Sequence, residues 1–397
     1  MKILWLKTEL LHPVDKGGRI RTYQMLRALR RNHHVTYLTL DDGAMPEAQT
    51  LADEYCQELI CMPHRLPSRT EFGFYAGLGA NLLSGLPYAV ARYRSALMRE
   101  AITRQVQRDK PDVLVCDFLA PAINVPERLP CRTVLFQHNV EAQIWQRHFE
   151  TQTNPLRRAL FRFQWQRMKR FEHAACQRFD QIIAVSQADA DRLRHDYEID
   201  RVAAVPTGVD TDFFRPRPEV ATEPHHLVFT GSMDWLPNED GINWFIEQIW
   251  PQLRQQIPQI RLTVVGRNPS RRLLALNQTG SGINVTGTVD DVRPYLARAA
   301  AAIVPLRIGG GTRLKIYEAM AMSKPVISTT VGAEGLPLRD GRELLIADEP
   351  SAFAAVICRL VKEPSKAREI GAAGASFVSS SGSWQAVTQQ FLKLCEA

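Results

Sequence analysis

Short runs of apolar, mostly β-branched residues recur along the chain, separated by longer stretches in which apolar positions return at helical spacing. In the first half the runs are Ile3–Leu6, Val35–Leu40, Glu58–Met62, Val113–Cys116, Thr133–Phe136, Gln181–Val185 and Val202–Val205. In the second half they are Leu227–Thr230, Arg261–Val265, Ile283–Thr286, Ala302–Pro305, Pro325–Ser328 and Leu344–Ile346. Strands this continuously apolar are buried on both faces, and their alternation with helices predicts parallel sheets covered by helices. The expected fold is α/β, with two doubly wound, Rossmann-like units.

The seam between the units falls at Pro206-Thr207-Gly208-Val209-Asp210, followed by Pro216, Pro218 and Pro224 in a polar stretch that breaks helix and strand alike. The predicted domains are residues 1–206 and 210–375. Within 376–397, beyond a serine-rich turn, Val387, Phe391 and Leu394 lie on one face of a terminal helix expected to cross back to the first domain. Ligands of such sheets bind beyond the carboxyl ends of the strands, so the expected site is a cleft across which the two domains face each other.

Composition narrows the class. The chain has 397 residues, 45% apolar and 23% charged, an ordinary globular balance in a chain longer than one domain. Its seven cysteines are scattered without metal spacing, which fits a reduced, cytoplasmic setting without structural zinc. Met1 to Lys7 is too short and too lysine-rich for a secretory signal and reads as a first strand. Phe72 to Val90 is the longest weakly polar window, but five glycine and proline interruptions separate it from a spanning helix of about 20 apolar residues. The net charge of +7 is concentrated in Pro155 to Arg170, where arginines and lysine alternate with Leu160, Phe161, Trp165 and Met168. That segment reads as a surface helix with its apolar face packed and its arginines solvated, or as a peripheral contact with the anionic inner face of a membrane. No nucleic-acid module accompanies it.

The most informative segment is Pro305-Leu306-Arg307-Ile308-Gly309-Gly310-Gly311-Thr312-Arg313-Leu314-Lys315-Ile316-Tyr317-Glu318. Three glycines after a buried strand and before a helix allow close backbone approach, and amides at the helix start suit an anion. The order predicts a phosphate site formed by Gly309, Gly310, Gly311 and Thr312. Arg313 and Lys315 would neutralise the phosphates and Glu318 would accept hydrogen bonds from ribose hydroxyls. The segment matches neither a P-loop nor G-x-G-x-x-G. A Lys315–Glu318 surface pair beside a turn is the competing reading.

Taken with this segment, the chain resembles the retaining glycosyltransferases of family 4, which have the GT-B fold. The likeness runs through Gly17-Gly18, Asp180 to Ser186, Val205 to Asp210 with Phe213, Phe229-Thr230-Gly231, Val264-Val265-Gly266-Arg267, Val285 to Val289, and Glu318-Ala319-Met320-Ala321 with Lys324 to Ile327. Two features depart from the family pattern. The first of its two glutamates falls on Gly310, and Gly231 is followed by Ser232-Met233-Asp234 where relatives often carry arginine and lysine. The GGGTR-x-K segment resembles that of a known branch in which Arg313 and Lys315 supply the missing charge.

The resemblance implies further site residues. Gly17 and Gly18, in a βα turn with Arg19 and Arg21 beside them, would meet donor phosphates or the acceptor. His138, leaving a strand at its carboxyl end, would hydrogen-bond the donor sugar, with a pKa suited to proton exchange near neutrality. Asp117 and Glu141 are weaker candidates that would otherwise cap the following helix. Gly231, Ser232, Gly266, Arg267, Thr286, Gly287 and Val289 would surround the nucleotide, with Asp290 or Asp291 as rival holders of Arg267. Glu334 stands between ligand contact and loop structure.

These readings define an enzyme that moves a sugar, with retention, from a nucleoside-diphosphate sugar to a sugar, lipid-linked or polysaccharide acceptor. No metal or other cofactor is expected, since no carboxylate cluster presents itself and basic residues can replace the cation. A nucleotide-sugar epimerase of the same fold and a non-catalytic nucleotide-sugar-binding subunit are the alternatives.

Overall fold

The computed structural model describes residues 1–14, 17–67, 71–152, 154–278, 280–308 and 314–396. Among these the chain divides into two compact units, Met1–Pro206 with Val387–Ala397, and Thr207–Ala386.

The first unit is built on β1 (Lys2–Lys7), β2 (His34–Asp41), β3 (Glu58–Pro63), β4 (Val113–Asp117), β5 (Arg132–Gln137), β6 (Gln181–Ala184) and β7 (Val202–Ala204). They form one parallel sheet in the order β3-β2-β1-β4-β5-β6-β7. The second unit contains β8 (Glu223–Thr230), β9 (Arg261–Val265), β10 (Ile283–Gly287), β11 (Ala299–Val304), β12 (Val326–Ser328) and β13 (Leu345–Ile346). Its parallel order is β10-β9-β8-β11-β12-β13. All thirteen strands expected from the apolar runs are present, and each sheet is doubly wound. Strand direction of growth reverses between β1 and β4 in one sheet and between β8 and β11 in the other. A crevice opens at such a switch point, outside the carboxyl ends of the strands.

The central strands carry the core. Ile3 to Leu6, Val113 to Cys116 and Val134 to Phe136 are buried on both faces, as covering helices require. Polar termini are met locally: Ser95, Asn154 and Ser186 cap the helices Ala96–Asp109, Pro155–Arg178 and Gln187–Tyr197. The final helix, Trp384–Glu396, begins in the second unit and ends in the first. At its start Gly208 leaves room for Trp384, whose ring and amide would stand 2.9 Å from any Cβ there. Further on, Phe391 packs against Trp5 and Phe136, with ring centroids 5.5 and 5.2 Å away.

Two helical glycines separate packing from propensity. A methyl at Gly241, in Leu236–Trp244, would lie 2.6 Å from the Pro305 carbonyl oxygen, whereas one at Gly79, in Phe72–Asn81, meets nothing within 4 Å. Helix propensity favours alanine at both by roughly 1 kcal/mol. Displacing a packed backbone costs about 1–3 kcal/mol, so the clash outweighs propensity at Gly241 alone. Urea unfolding is expected to show Gly241→Ala less stable than the parent and Gly79→Ala equal to it or more stable.

Candidate functional site

At the β1/β4 switch point the register Leu6↔Cys116 brings the last residues of the two strands, Lys7 and Asp117, side by side. Both are buried, and the Lys7 ammonium donates to Asp117 Oδ2 at 2.8 Å. The same oxygen accepts from Trp5 Nε1 at 3.1 Å and from Thr22 Oγ1 at 2.5 Å. Its other oxygen, Oδ1, accepts from His138 Nε2 at 2.7 Å. Burial alone would raise the Asp117 pKa, but Lys7 and His138 hold it below the usual carboxylate range. Asp117 is therefore an ionised hub rather than a helix cap.

This hub defines the state of His138. A carboxylate only accepts, so Nε2 carries the proton and Nδ1 is the acceptor nitrogen. Burial lowers the pKa to about 4, outweighing the pull of Asp117. The expectation that His138 exchanges a proton near neutrality is therefore corrected: the ring is neutral at pH 7 because it has lost its water. Phe118, with φ 73° in the left-handed region, is the unusual residue here. Its ring stacks on His138 at 3.9 Å, lies under the Lys7 ammonium at 4.1 Å, and would stand 2.7 Å from a Cβ at Gly18. Gly18 is thus needed for close approach at the start of the helix Gly17–Arg30.

The two arginines of that helix are engaged. Arg19 binds Glu9 at 2.6 Å, and buried Arg21 donates to the Val205 carbonyl at 2.5 Å and stacks on Phe136. Burial pulls the Arg21 pKa down to about 9, which leaves it charged at neutral pH. Their predicted place as charge offered at the mouth of the turn is corrected accordingly. Glu141 opens the helix Glu141–Thr151, but the capping carboxylate is Glu172, which accepts from the Glu141 and Ala142 amides at 2.8 and 3.0 Å. Tyr197 and Gln137 also donate to Glu172. Burial, with the charge of Glu172 behind it, pushes Glu141 up to about 7.

In the second unit the carboxyl end of β8 holds the matching cluster. Lys315, on the helix Leu314–Ala321, donates to Asn238 Oδ1 at 2.5 Å and sits 4.5 Å above the Phe229 ring. Asn238 donates in turn to the Ser232 carbonyl at 2.8 Å. A Cβ on Gly231 would strike Asn238 at 2.6 Å and Lys315 at 2.7 Å, and one on Gly266 would lie 1.8 Å from the Gly231 carbonyl oxygen. Gly231, Ser232, Gly266 and Lys315 are therefore one packed constellation.

Arg267 donates to Ser232 Oγ at 2.8 Å and lies 3.7 Å from Asp234, while Asp291 pairs with Arg293 at 2.8 Å. The rival assignment of Arg267 to Asp290 or Asp291 is thereby corrected. Thr286 and Gly287 end β10, with Gly287 at φ 73° and its carbonyl accepting from the Gly266 amide at 3.2 Å, and Val289 packs partly buried below them. Glu318 retains some exposure as a residue, yet its carboxyl is enclosed; burial, against the attraction of Lys315, raises it to about 7. Glu334 lies exposed in the turn after β12. Gly309, Gly310, Gly311, Thr312 and Arg313 lie outside the described residues. Among the described residues, no group of three or more His, Cys, Asp or Glu side chains is placed to hold a metal ion.

Sequence reasoning missed Lys7, Thr22, Phe118, Glu172 and Asn238. Lys7 and Phe118 each follow a predicted strand closely, which is the signal that would have found them. Glu172, Thr22 and Asn238 sit within helices and act through contacts that no local pattern reveals.

Two Rossmann-like units, each with polar residues gathered at its carboxyl edge, define the GT-B class of fold. Residues 16–213 match the model of the family "Glycosyltransferase Family 4", and residues 224–363 match that of "Glycosyl transferases group 1". The chain belongs to the family 4 type of glycosyltransferases. It is 22% identical over 394 residues to an uncharacterized 44.6 kDa protein in cps region of Klebsiella pneumoniae, covering 95% of each chain. It is 29% identical over 242 residues to the D-inositol 3-phosphate glycosyltransferase of Streptomyces griseus. That match covers 51% of each, so the chain spans about half the length of this curated relative. Anabaena Alr3699/HepE in complex with UDP shares the fold at a TM-score of 0.69 and 15% identity, over 99% of both chains. The same protein has also been solved in complex with UDP-glucose.

Two outcomes are expected. Lys7→Met leaves Asp117 buried without its cation, and should cost about 3–5 kcal/mol in urea unfolding. Glu141, with its folded pKa raised, favours the folded state fully below the unfolded pKa, and this contribution is lost as pH rises through about 7. Glu141→Gln should therefore be more stable than the parent at pH 8, by about 2 kcal/mol, with the gap closing as pH falls to about 4.5. Equal melting differences at pH 8 and pH 5 would contradict this.

Proposed function

We propose that the protein transfers a sugar from a nucleoside-diphosphate sugar to an acceptor hydroxyl with retention of the anomeric configuration, in polysaccharide or glycolipid assembly on the cytoplasmic side of the membrane. The observation that carries this reading is the Lys315–Asn238–Gly231 constellation beside the β8/β11 switch point, where glycines clear space around an ammonium fixed by an amide and an aromatic face. A cation so placed, beyond the strand that leads into Gly309 to Arg313, suits a diphosphate. The complexes of Alr3699/HepE with UDP and UDP-glucose, in a protein of the same fold, support a nucleotide-sugar donor.

In this reading Lys315 and Arg313 stabilise charge on the leaving diphosphate, aided by amides of the glycine segment, with no metal required. Glu318 accepts from the ribose, and the ends of β9 and β10, from Gly266 and Arg267 to Thr286 and Val289, adjoin the base. In the first unit Gly17, Gly18 and His138 meet a sugar, the neutral imidazole accepting from a hydroxyl at Nδ1. Positioning of a hydroxyl and stabilisation of the leaving group then account for catalysis together.

A thermal-shift screen of nucleoside diphosphates and their sugars tests the donor site, because a ligand bound only by the folded state raises the melting temperature. At least one nucleotide should give a saturable rise, and Lys315→Ala should weaken its binding by about tenfold or more, the loss of one charge-assisted contact. No shift with any nucleotide would remove the donor site. Epimer formation without nucleotide release would replace transfer by isomerisation.

A further inference from the structure

From Phe72 to Ala91 the chain carries no charged residue, a run of the kind that packs inside a protein. The structure instead places its first part on the surface of the first unit. Among the side chains described in it, the helix Phe72–Asn81 is largely exposed, and so is the turn that follows it. Phe72 is 85% exposed, Leu83 95% and Leu82 49%. Fully exposed leucine and phenylalanine scattered singly are ordinary, but an uncharged helix and turn presenting them together are not.

A second surface adjoins this one. Arg167, within the helix Pro155–Arg178, donates to the Asn81 and Leu82 carbonyls at 2.6 and 2.9 Å, and Gln164 bridges Asn81 and the Tyr88 amide. These bonds fix the end of the uncharged helix against the basic one. One and three turns back from Arg167 the basic helix exposes Phe163 and Leu156, seven residues apart and so on one face. Between and beside them stand the exposed Arg157, Arg158 and Arg162, and Pro155 to Arg170 contains no acid. Leu160, Phe161 and Trp165 are partly buried and Met168 is buried, so the helix also packs on the unit and the exposed apolar residues are additional to that packing.

We propose that this composite surface, the uncharged segment Phe72–Leu83 together with the arginine-bearing first turns of Pro155–Arg178, docks the protein on an anionic lipid bilayer. Apolar side chains enter the interface while the arginines meet lipid phosphates. The attachment is peripheral, because no helix among the described residues is long and apolar enough to cross a membrane. A second copy of the chain is the less suited occupant. A symmetric pair would set the same three arginines of each copy against one another, with no acid in the basic segment to offset them. An anionic leaflet supplies the opposite charge over the whole surface.

Sedimentation of the full-length protein with vesicles tests this without reference to catalysis. Against vesicles of phosphatidylcholine with one third phosphatidylglycerol, strong binding is expected at low salt, falling as salt is raised, with little binding to phosphatidylcholine alone. The triple variant Arg157→Gln, Arg158→Gln, Arg162→Gln should lower the partition coefficient by about a hundredfold, each basic side chain near the surface contributing about fivefold. Leu83→Ser should lower it by about tenfold, the loss of one inserted leucine. All four positions are exposed, and unchanged melting temperatures confirm that the variants fold. Equal binding to both vesicle types, or binding unaffected by Leu83→Ser, would overturn the proposal. So would a dimer by light scattering that Leu83→Ser dissociates, which would assign the surface to a second copy.

Discussion

A carboxylate with no exposure, set between two central strands of a parallel sheet, has to be compensated where it stands. Asp117 meets that demand with a lysine from β1, an indole, a hydroxyl and an imidazole. Taking such a charge out of water costs several kcal/mol, and only a dense set of donors returns it. The four donors come from three stretches of chain. Trp5 and Lys7 end β1, Thr22 lies on the helix that follows, and His138 leaves β5. The hub thus ties together the first βα turn and the ends of β4 and β5, and it leaves little freedom in their relative placement. Phe118 follows from the same constraint: its left-handed backbone turns the ring beneath both Lys7 and His138, where a regular continuation of the strand would carry it away.

The second sheet organises its carboxyl edge by close approach rather than by ion pairing. Gly266 and Gly231 bring the ends of two neighbouring strands so near that a single methyl cannot be inserted between them. That proximity frees the space beside β8 for Asn238 and the Lys315 ammonium. Among the contacts of Lys315 are an amide oxygen and an aromatic face, which orient the ammonium. Glu318, one helical turn on, is raised to about 7 and so is only partly ionised at neutral pH.

The elements were legible because buried parallel strands leave continuous apolar runs, and Ile3–Leu6, Val113–Cys116 and Val264–Val265 could not be anything else in this alternation. Gly231, Ser232 and Gly266 entered through the family resemblance and directly follow such runs, at the carboxyl ends of β8 and β9, whereas Lys315 was singled out by the glycine-rich segment ahead of its helix. Partnerships were not. That His138 rests on Asp117, and that Glu172 caps a helix beginning thirty-one residues earlier, depends on contacts across the fold. Protonation was hidden too, because the state of a histidine depends on how much water burial removes, and sequence position alone does not set that. Arg19 and Arg21 look alike in sequence as free charge near a glycine turn. The fold commits one to Glu9 and the other to backbone carbonyls beyond β7.

The basic helix Pro155–Arg178 carries a packed face and a second, exposed apolar stripe. Periodicity assigned Leu160, Phe161, Trp165 and Met168 to a packed face, and that face exists. It did not account for Leu156 and Phe163, which fall off that face and remain in water. A helix needs only one apolar stripe to pack on its domain. Arg167 shows how the second stripe is kept: its guanidinium lies 3.7 Å from the Phe163 ring centroid while bonding to Asn81 and Leu82, so the exposed aromatic is braced by the same side chain that anchors the uncharged helix. Two exposed apolar segments far apart in sequence are thus joined through one buried arginine. Their exposure is a built feature of the first unit, maintained by specific bonds, rather than the fraying of a loosely held loop.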